Sequence, residues 1–453
     1  MTVWYADHAW LGGNTVASGV VIRTEGGRVA EVSSGVGHAP DGATHLRGLT
    51  LPAFANGHSH AFHRALRGRT HRGGGTFWTW RDDMYEVAER LDPESYYRLA
   101  RAAYAEMALA GYAAVGEFHY LHHAPGGVPY ADPHAMSWAL VEAARDAGIR
   151  LTLLDTAYLT AGLRGEELSP VQRRFSDGDV DAWASRVESF AAPPEVHLGA
   201  AVHSVRAVPP DALPVVAQWA ASRDARLHVH LSEQRRENEA CVAAHGRTPT
   251  RLLADHGVLG PRTTAVHATH LTDDDVAALA SARTGACLTP TTERDLADGL
   301  PRLGDLAAAG VTLSIGSDSH AVVDPFEELR GLELGERLRT ERRGHLAAAD
   351  LLAAGTAAGY AALGRSPDDA PAAPTGISAG ALADFTTVRL GSVRLAGWEE
   401  ATLLESVLFA ATSADVTDLV VGGRHVVREG RHATVEDVAA ELSAAVRAQL
   451  TPR

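Results

Sequence analysis

No lysine occurs among the 453 residues; all 41 side chains counted as lysine or arginine are arginines. A guanidinium stays protonated in a protein and cannot take the place of a neutral amine. That excludes Schiff-base catalysis, a phosphate loop that relies on lysine, and a carboxylated lysine bridging two metal ions. Cysteine is nearly as scarce. Cys241 and Cys287 are too few for a disulfide framework, which fits a reducing compartment. No apolar run approaches the roughly 20 residues of a membrane helix. The opening MTVWYADHAW has neither a basic start nor a long apolar core, so no signal peptide is expected there. A basic surface is missing too, because the net charge is −15, and nucleic acid and anionic lipid are not expected as partners. These absences together predict a cytoplasmic protein that works on small molecules.

What the chain does have is a spaced set of metal-type residues. His58-Ser59-His60, His230, Glu233, His267 and Asp318 all stand where an apolar run stops, in TLPAFANGHSH, LHVHLSE, TAVHATH and TLSIGSDS. Residues i and i+2 of a strand share a face, so His58 and His60 can reach one ion. Side chains this far apart in sequence meet readily if their strands lie parallel in one barrel, with the carboxyl ends at one mouth. Three imidazoles and one carboxylate suit a single Zn2+, or alternatively Fe2+, with a coordination position left for water. A bound dication brings the pKa of that water toward neutrality. Glu233, three residues past His230, could reach a substrate without touching the ion, and a partly desolvated carboxyl can alternate between acid and base. His267 and Asp318 are the other candidates for moving a proton.

Strands and helices alternate through the middle of the chain. Eight candidate strands are LTLPAFA, YAAVGEF, RLTLLDT, VHLGAAVH, RLHVHLS, TAVHATH, GACLTP and VTLSIGSD. Amphipathic stretches such as ESYYRLARAAYAEMALAG, HAMSWALVEAARDAG and DDDVAALASA lie between them. The pattern predicts an α/β fold, a (β/α)8 TIM-like barrel built by right-handed crossovers. Both chain ends are β-rich, with turns at Glu25-Gly26-Gly27 and Gly422-Gly423. The expected domains are a barrel over 51–376 and a composite β-sandwich from 1–50 and 377–453, the latter including a last helix, VEDVAAELSAAVRAQL. SPDDAPAAPTG, about 366–376, reads as the crossing between them. Connections at about 62–92 and 157–185 exceed ordinary loop length, which favours lids or binding loops. The first carries Gly73-Gly74-Gly75 and then Phe77-Trp78-Thr79-Trp80, a set that allows a hinge and a cover of aromatics.

HSH, HLSE, VHATH and GSDS together resemble the amidohydrolase superfamily in its mononuclear deaminase branch. GHSHAFHRAL, FWTWRDDMY, GYAAVGEFHYLHH, QRRFSDG, HSVRAV and SIGSDSH narrow the resemblance to the formimidoylglutamate deiminase family, over about 50–430. The resemblance implies hydrolysis of N-formimino-L-glutamate to N-formyl-L-glutamate and ammonia in histidine degradation. It implies His58, His60, His230 and Asp318 as metal ligands, with Glu233 and His267 in proton transfer. Arg206, His203 and Tyr120 would grip the carboxylate end of the substrate, and a guanidinium fork does match a carboxylate in bidentate geometry. Where the family carries glutamine in HSHAFQRA this chain has His63, a site that bears on substrate choice and leaves the metal chemistry alone. A neutral imidazole nitrogen donates or accepts but cannot do both, as an amide can. Homodimers are expected for this architecture. Other readings are a deaminase of the same barrel acting on a ring such as guanine, cytosine or an imidazolone, and a non-catalytic barrel kept as a scaffold.

Overall fold

The computed structural model describes residues 1–71, 74–365 and 375–450. Gly73 and most of the expected crossing at 366–376 lie outside those residues. The first four strands are β1 (Thr2–Trp10), β2 (Val16–Glu25), β3 (Arg28–Ser33) and β4 (Thr44–Pro52). Eight more follow: β5 (Phe54–Ser59), β6 (Tyr112–His119), β7 (Arg150–Ala157), β8 (His197–Val202), β9 (Leu227–Leu231), β10 (Thr263–His267), β11 (Gly285–Leu288) and β12 (Leu313–Ile315). They form one parallel sheet in sequence order. Its strands are buried on both faces, as β6 and β7 show, because helices cover the outside.

The sheet closes into a barrel at the seam between β12 and β5. Ser59 bridges Asp318 in parallel, the His60 N–H donates to the Asp318 carbonyl at 3.3 Å, and the Asp318 N–H donates to the His58 carbonyl at 3.0 Å. Glycine is required on both sides of this seam. A Cβ on Gly57 would lie 2.9 Å from the Ile315 carbonyl, and one on Gly316 would lie 2.8 Å from that of His58.

The remaining strands, β13 (Phe385–Val388), β14 (Val416–Val421), β15 (Arg424–Arg428) and β16 (Arg431–His432), join β1–β4 in a mixed sheet ordered β16-β15-β14-β13-β4-β1-β2-β3. Both chain ends therefore build this sheet together, and their pairing is as expected. It curls over its own core, bringing Trp4 of β1 edge-on to Phe385 and His425 at 5.3 and 5.0 Å. Asp384 fastens this layer to the barrel, accepting two hydrogen bonds from Arg150, one from Tyr360 and one from the Gly422 N–H.

Three elements differ from the sequence expectation. LTLPAFA splits: β4 runs to Pro52 in the mixed sheet, paired with β13, and the barrel strand begins at Phe54. The TAVHATH strand stops at His267, where His267 and Ala268 turn to φ +69° and +49°. The 62–92 connection contains a helix, α1 (Phe77–Arg90), whose start is set by a Thr76–Thr79 capping box. It runs into α2 (Pro93–Leu109), capped by Asp92 with Pro93 in the first turn. The C-terminal helix Val438–Leu450 packs on α2, where Arg101 pairs with Glu441. Among the described residues no helix is long and apolar enough to cross a membrane.

Candidate active site

Four buried side chains converge at the barrel seam. One ligand atom each from His58, His60, His230 and Asp318 lies within 4.8 Å of the others. The Nε2 atoms of His60 and His58 stand 3.3 and 3.1 Å from His230 Nε2, and 3.5 and 3.3 Å from Asp318 Oδ1. Tautomers decide what this means. His60 Nδ1 must donate to the Phe118 carbonyl at 3.0 Å, and His230 Nδ1 to the His203 carbonyl at 2.9 Å. In the neutral ring each Nε2 is then a bare lone pair. Burial keeps the rings neutral: it lowers the His60 pKa to about 3, aided by His58, and holds His58 and His230 below their ordinary value. Converging lone pairs repel unless a cation lies between them. Donors around a tetrahedral zinc at about 2.05 Å would be about 3.3 Å apart, close to the spacing found. The residues fit one divalent ion.

Around this cluster the backbone is strained at strand ends. Ser232, His267, Asp318 and His320 all have positive φ, between +41° and +69°. Each costs about 1–3 kcal/mol and persists only where its surroundings fix it. Here the strain turns the side chains of His267 and Asp318 into the mouth. Glu233 Oε1 lies 3.8 Å from His267 Nε2, which is 3.9 Å from Asp318 Oδ2. Burial lifts the Glu233 carboxyl to about 7, partly offset by His267. His267 goes the other way. Burial favours its neutral form, but Glu233, Glu293 and Asp318 outweigh that and lift it to about 10. A dication at the four donors would oppose that proton.

Above the cluster a cavity with about 570 Å³ of empty space is lined by His60, His63, Tyr120, His203, Arg206, Glu233, His267 and Asp318. Every candidate ligand, proton-transfer and substrate-gripping residue named from the sequence is at this cavity or, like His58, in the cluster at its floor. His63 Nε2 and the Tyr120 hydroxyl are hydrogen-bonded at 2.9 Å. Arg206 Nε comes within 3.5 Å of Glu237 Oε1, yet neither atom makes a hydrogen bond among the described residues. Burial works against the Arg206 charge, but Glu237 and Glu233 hold its pKa above the ordinary value. A partly buried cation with an unspent donor is suited to an anionic ligand.

Sequence reasoning missed several wall residues. Arg81, Met84 and Tyr85 come from α1, Tyr158 from the end of β7 and Phe175 from the long connection after it. Tyr158 was within reach, since it follows a strand end as the named residues do. Arg81 and Phe175 lie inside the quoted segments FWTWRDDMY and QRRFSDG without having been picked out. Of the FWTW aromatics, Phe77 and Trp80 face the cavity, and the Trp78 ring meets the guanidinium groups of Arg81 and Arg236 at 4.6 and 4.9 Å.

The sequence model described as "Amidohydrolase family" matches residues 49–426. The chain belongs to the amidohydrolase family. This amidohydrolase is 41% identical to the formimidoylglutamate deiminase of Pseudomonas aeruginosa over 87% of its own length and 88% of the relative's. It is 29% identical to the 8-oxoguanine deaminase of the same organism, over 92% and 91%. Among solved structures, an amidohydrolase from Brucella melitensis matches with a TM-score of 0.90 at 34% identity, covering 100% of both chains.

Proposed function

We propose that this amidohydrolase hydrolyses N-formimino-L-glutamate to N-formyl-L-glutamate and ammonia. The observation that carries the reading is a partly buried guanidinium, Arg206, in the same cavity as a four-donor metal cluster and a carboxyl lifted to about 7. One feature suits a substrate carboxylate and the other two suit C–N hydrolysis. The similarity to a formimidoylglutamate deiminase supports the choice of amidine.

His58, His60, His230 and Asp318 would hold the ion, which we take to be Zn2+ from its three nitrogen donors and one oxygen donor. When bound, it supplies Lewis acidity and a water with a pKa near neutrality. The protein's own groups do the rest. Water adds to the amidine carbon, the bond from carbon to the terminal nitrogen breaks, and both water protons end on that nitrogen as ammonia. Glu233 carries protons to the nitrogen as the carbon becomes tetrahedral, and His267 with Asp318 accepts them from the water side. Arg206, His203 and Tyr120 orient the carboxylate end. His63 keeps Tyr120 in place through its hydrogen bond. The protein is taken to act in the cytoplasm as a homodimer, which sedimentation would check; its two buried free cysteines suit a reducing compartment.

An ammonia-release screen tests the reading. It would compare N-formimino-L-glutamate and N-formimino-L-aspartate with guanine, cytosine and imidazolonepropionate. Preference for the glutamate-length amidine is expected. Turnover of a ring substrate with none of either amidine would overturn it.

A further inference from the structure

We propose that Arg174 is a positioning residue that holds three walls of the substrate cavity in register through backbone carbonyls. It sits in the short helix Gln172–Phe175 of the long connection after β7, and its side chain is fully buried at 0% exposure. A buried arginine normally faces a carboxylate. This one has the charges of Glu89 and Asp92 and the Tyr130 hydroxyl nearby, and it ties the surrounding segments together through main-chain oxygens. Nη1 donates to the Ala88 carbonyl, Nη2 to that of Leu91 at 2.6 Å, and Nε to that of His123 at 2.9 Å.

Ala88 and Leu91 mark the end of α1, where the last carbonyls of a helix have no partner within the helix. A cation there satisfies those acceptors and complements the negative end of the helix dipole. Arg174 is thus the C-terminal cap of α1, supplied from a distant loop. Its own carbonyl accepts from the N–H groups of His122 and His123 at 3.0 and 2.9 Å, which ties the same residue to the segment leaving β6.

All three connected segments carry cavity residues. The inner face of α1 presents Trp80, Met84 and Tyr85, and the exit of β6 presents Tyr120. The neighbours of Arg174 complete the hub. Phe175 packs on Tyr120, Tyr158 and Tyr85 at ring distances of 5.0, 5.4 and 6.1 Å. Gln172 Nε2 donates to the Tyr158 hydroxyl at 2.8 Å and to that of Tyr85 at 3.3 Å. None of these contacts involves the metal donors. Loss of Arg174 should therefore loosen the walls that grip the substrate and leave the metal floor intact.

The inference rests on reading this cavity as the substrate pocket, and its test separates the two claims. Arg174→Met and Arg174→Lys are compared with wild type in the full-length, metal-loaded protein. In R174M, amide exchange over residues 77–90 accelerates about tenfold or more, while Pro93–Leu109 keeps the wild-type rate. Metal content holds, and KM for N-formimino-L-glutamate rises about tenfold with kcat within about threefold. R174K, whose amine still donates to these carbonyls, recovers part of both effects. Unchanged exchange in 77–90, equal acceleration in 93–109, or a loss confined to kcat overturns the proposal. If R174M fails to fold, R174K carries the same comparison. A wild type that releases no ammonia from this substrate refutes the functional reading, and the exchange comparison still decides the role of Arg174.

Discussion

Glu233 meets both demands on a proton carrier, since it reaches the cavity and has a pKa lifted by burial to about 7. Removing its charge while keeping its shape isolates the role. Glu233→Gln should lower kcat by about 10²–10⁴-fold with metal content unchanged, which turnover and elemental analysis together would check. Arg206 makes a different prediction. Arg206→Met removes charge-assisted hydrogen bonds worth about 1.5–3 kcal/mol, so kcat/KM toward carboxylate-bearing amidines should fall about 10- to 100-fold. Unchanged kinetics would place the carboxylate elsewhere. At this scale the sequence was most readable. His58, His60, His230, Glu233, His267 and Asp318 could be named because each ends an apolar run, a pattern that parallel strands convert into convergence. Arg174 and Glu237 could not. Charged residues on amphipathic segments ordinarily face water, and nothing local marks one as buried.

Among the elements, the long connection after β7 is held by a charge network that no spacing in the sequence reveals. Arg186 is bidentate to Asp155 and to Asp177, with four hydrogen bonds at 2.7–2.9 Å, and His123 Nε2 meets Asp177 at 3.0 Å. Burial pushes both carboxyls up. His123 and Arg186 outweigh it at Asp177, which ends well below the usual carboxylate range, and Arg186 with His122 outweighs it at Asp155, which ends below its ordinary value. A carboxyl depressed in the folded state adds stability above its unfolded pKa, near 4, and loses it as pH falls through the folded value. Arg186→Met should cost about 3–5 kcal/mol at pH 7, because two buried carboxylates lose their partner. The deficit relative to wild type should shrink as the pH is lowered below about 4, the region in which unfolded carboxyls protonate. Denaturant unfolding at several pH values would check it. The helix α1 was missed for a related reason. Its buried residues Phe77, Trp80, Met84, Val87 and Ala88 do follow helical spacing. Aromatics on its other face and the adjoining glycines made the segment read as a loop.

Over the whole molecule, the barrel and the mixed sheet were legible because alternation of strand and helix differs in period from the β-rich ends. The place where the chain passes between them, at Pro52–Phe54, was not, since one apolar run supplies strands to both sheets. The metal cluster joins the first and last barrel strands, so an ion held there braces the closed barrel. A ligand that binds only the folded state stabilises it by mass action. Chelation should therefore lower the melting temperature, by about 1 °C for each kcal/mol lost in a chain of this length, and added Zn2+ should restore it. An unchanged melting temperature after demonstrated metal removal would refute the bracing role.

The central claim is that one divalent ion is shared across the β5–β12 seam. Anomalous diffraction at the zinc edge, from crystals of the purified protein, tests it most directly. The account predicts a single peak about 2.0–2.2 Å from the Nε2 atoms of His58, His60 and His230 and from an Asp318 carboxylate oxygen. A zinc-loaded crystal with no peak among those four side chains would contradict it.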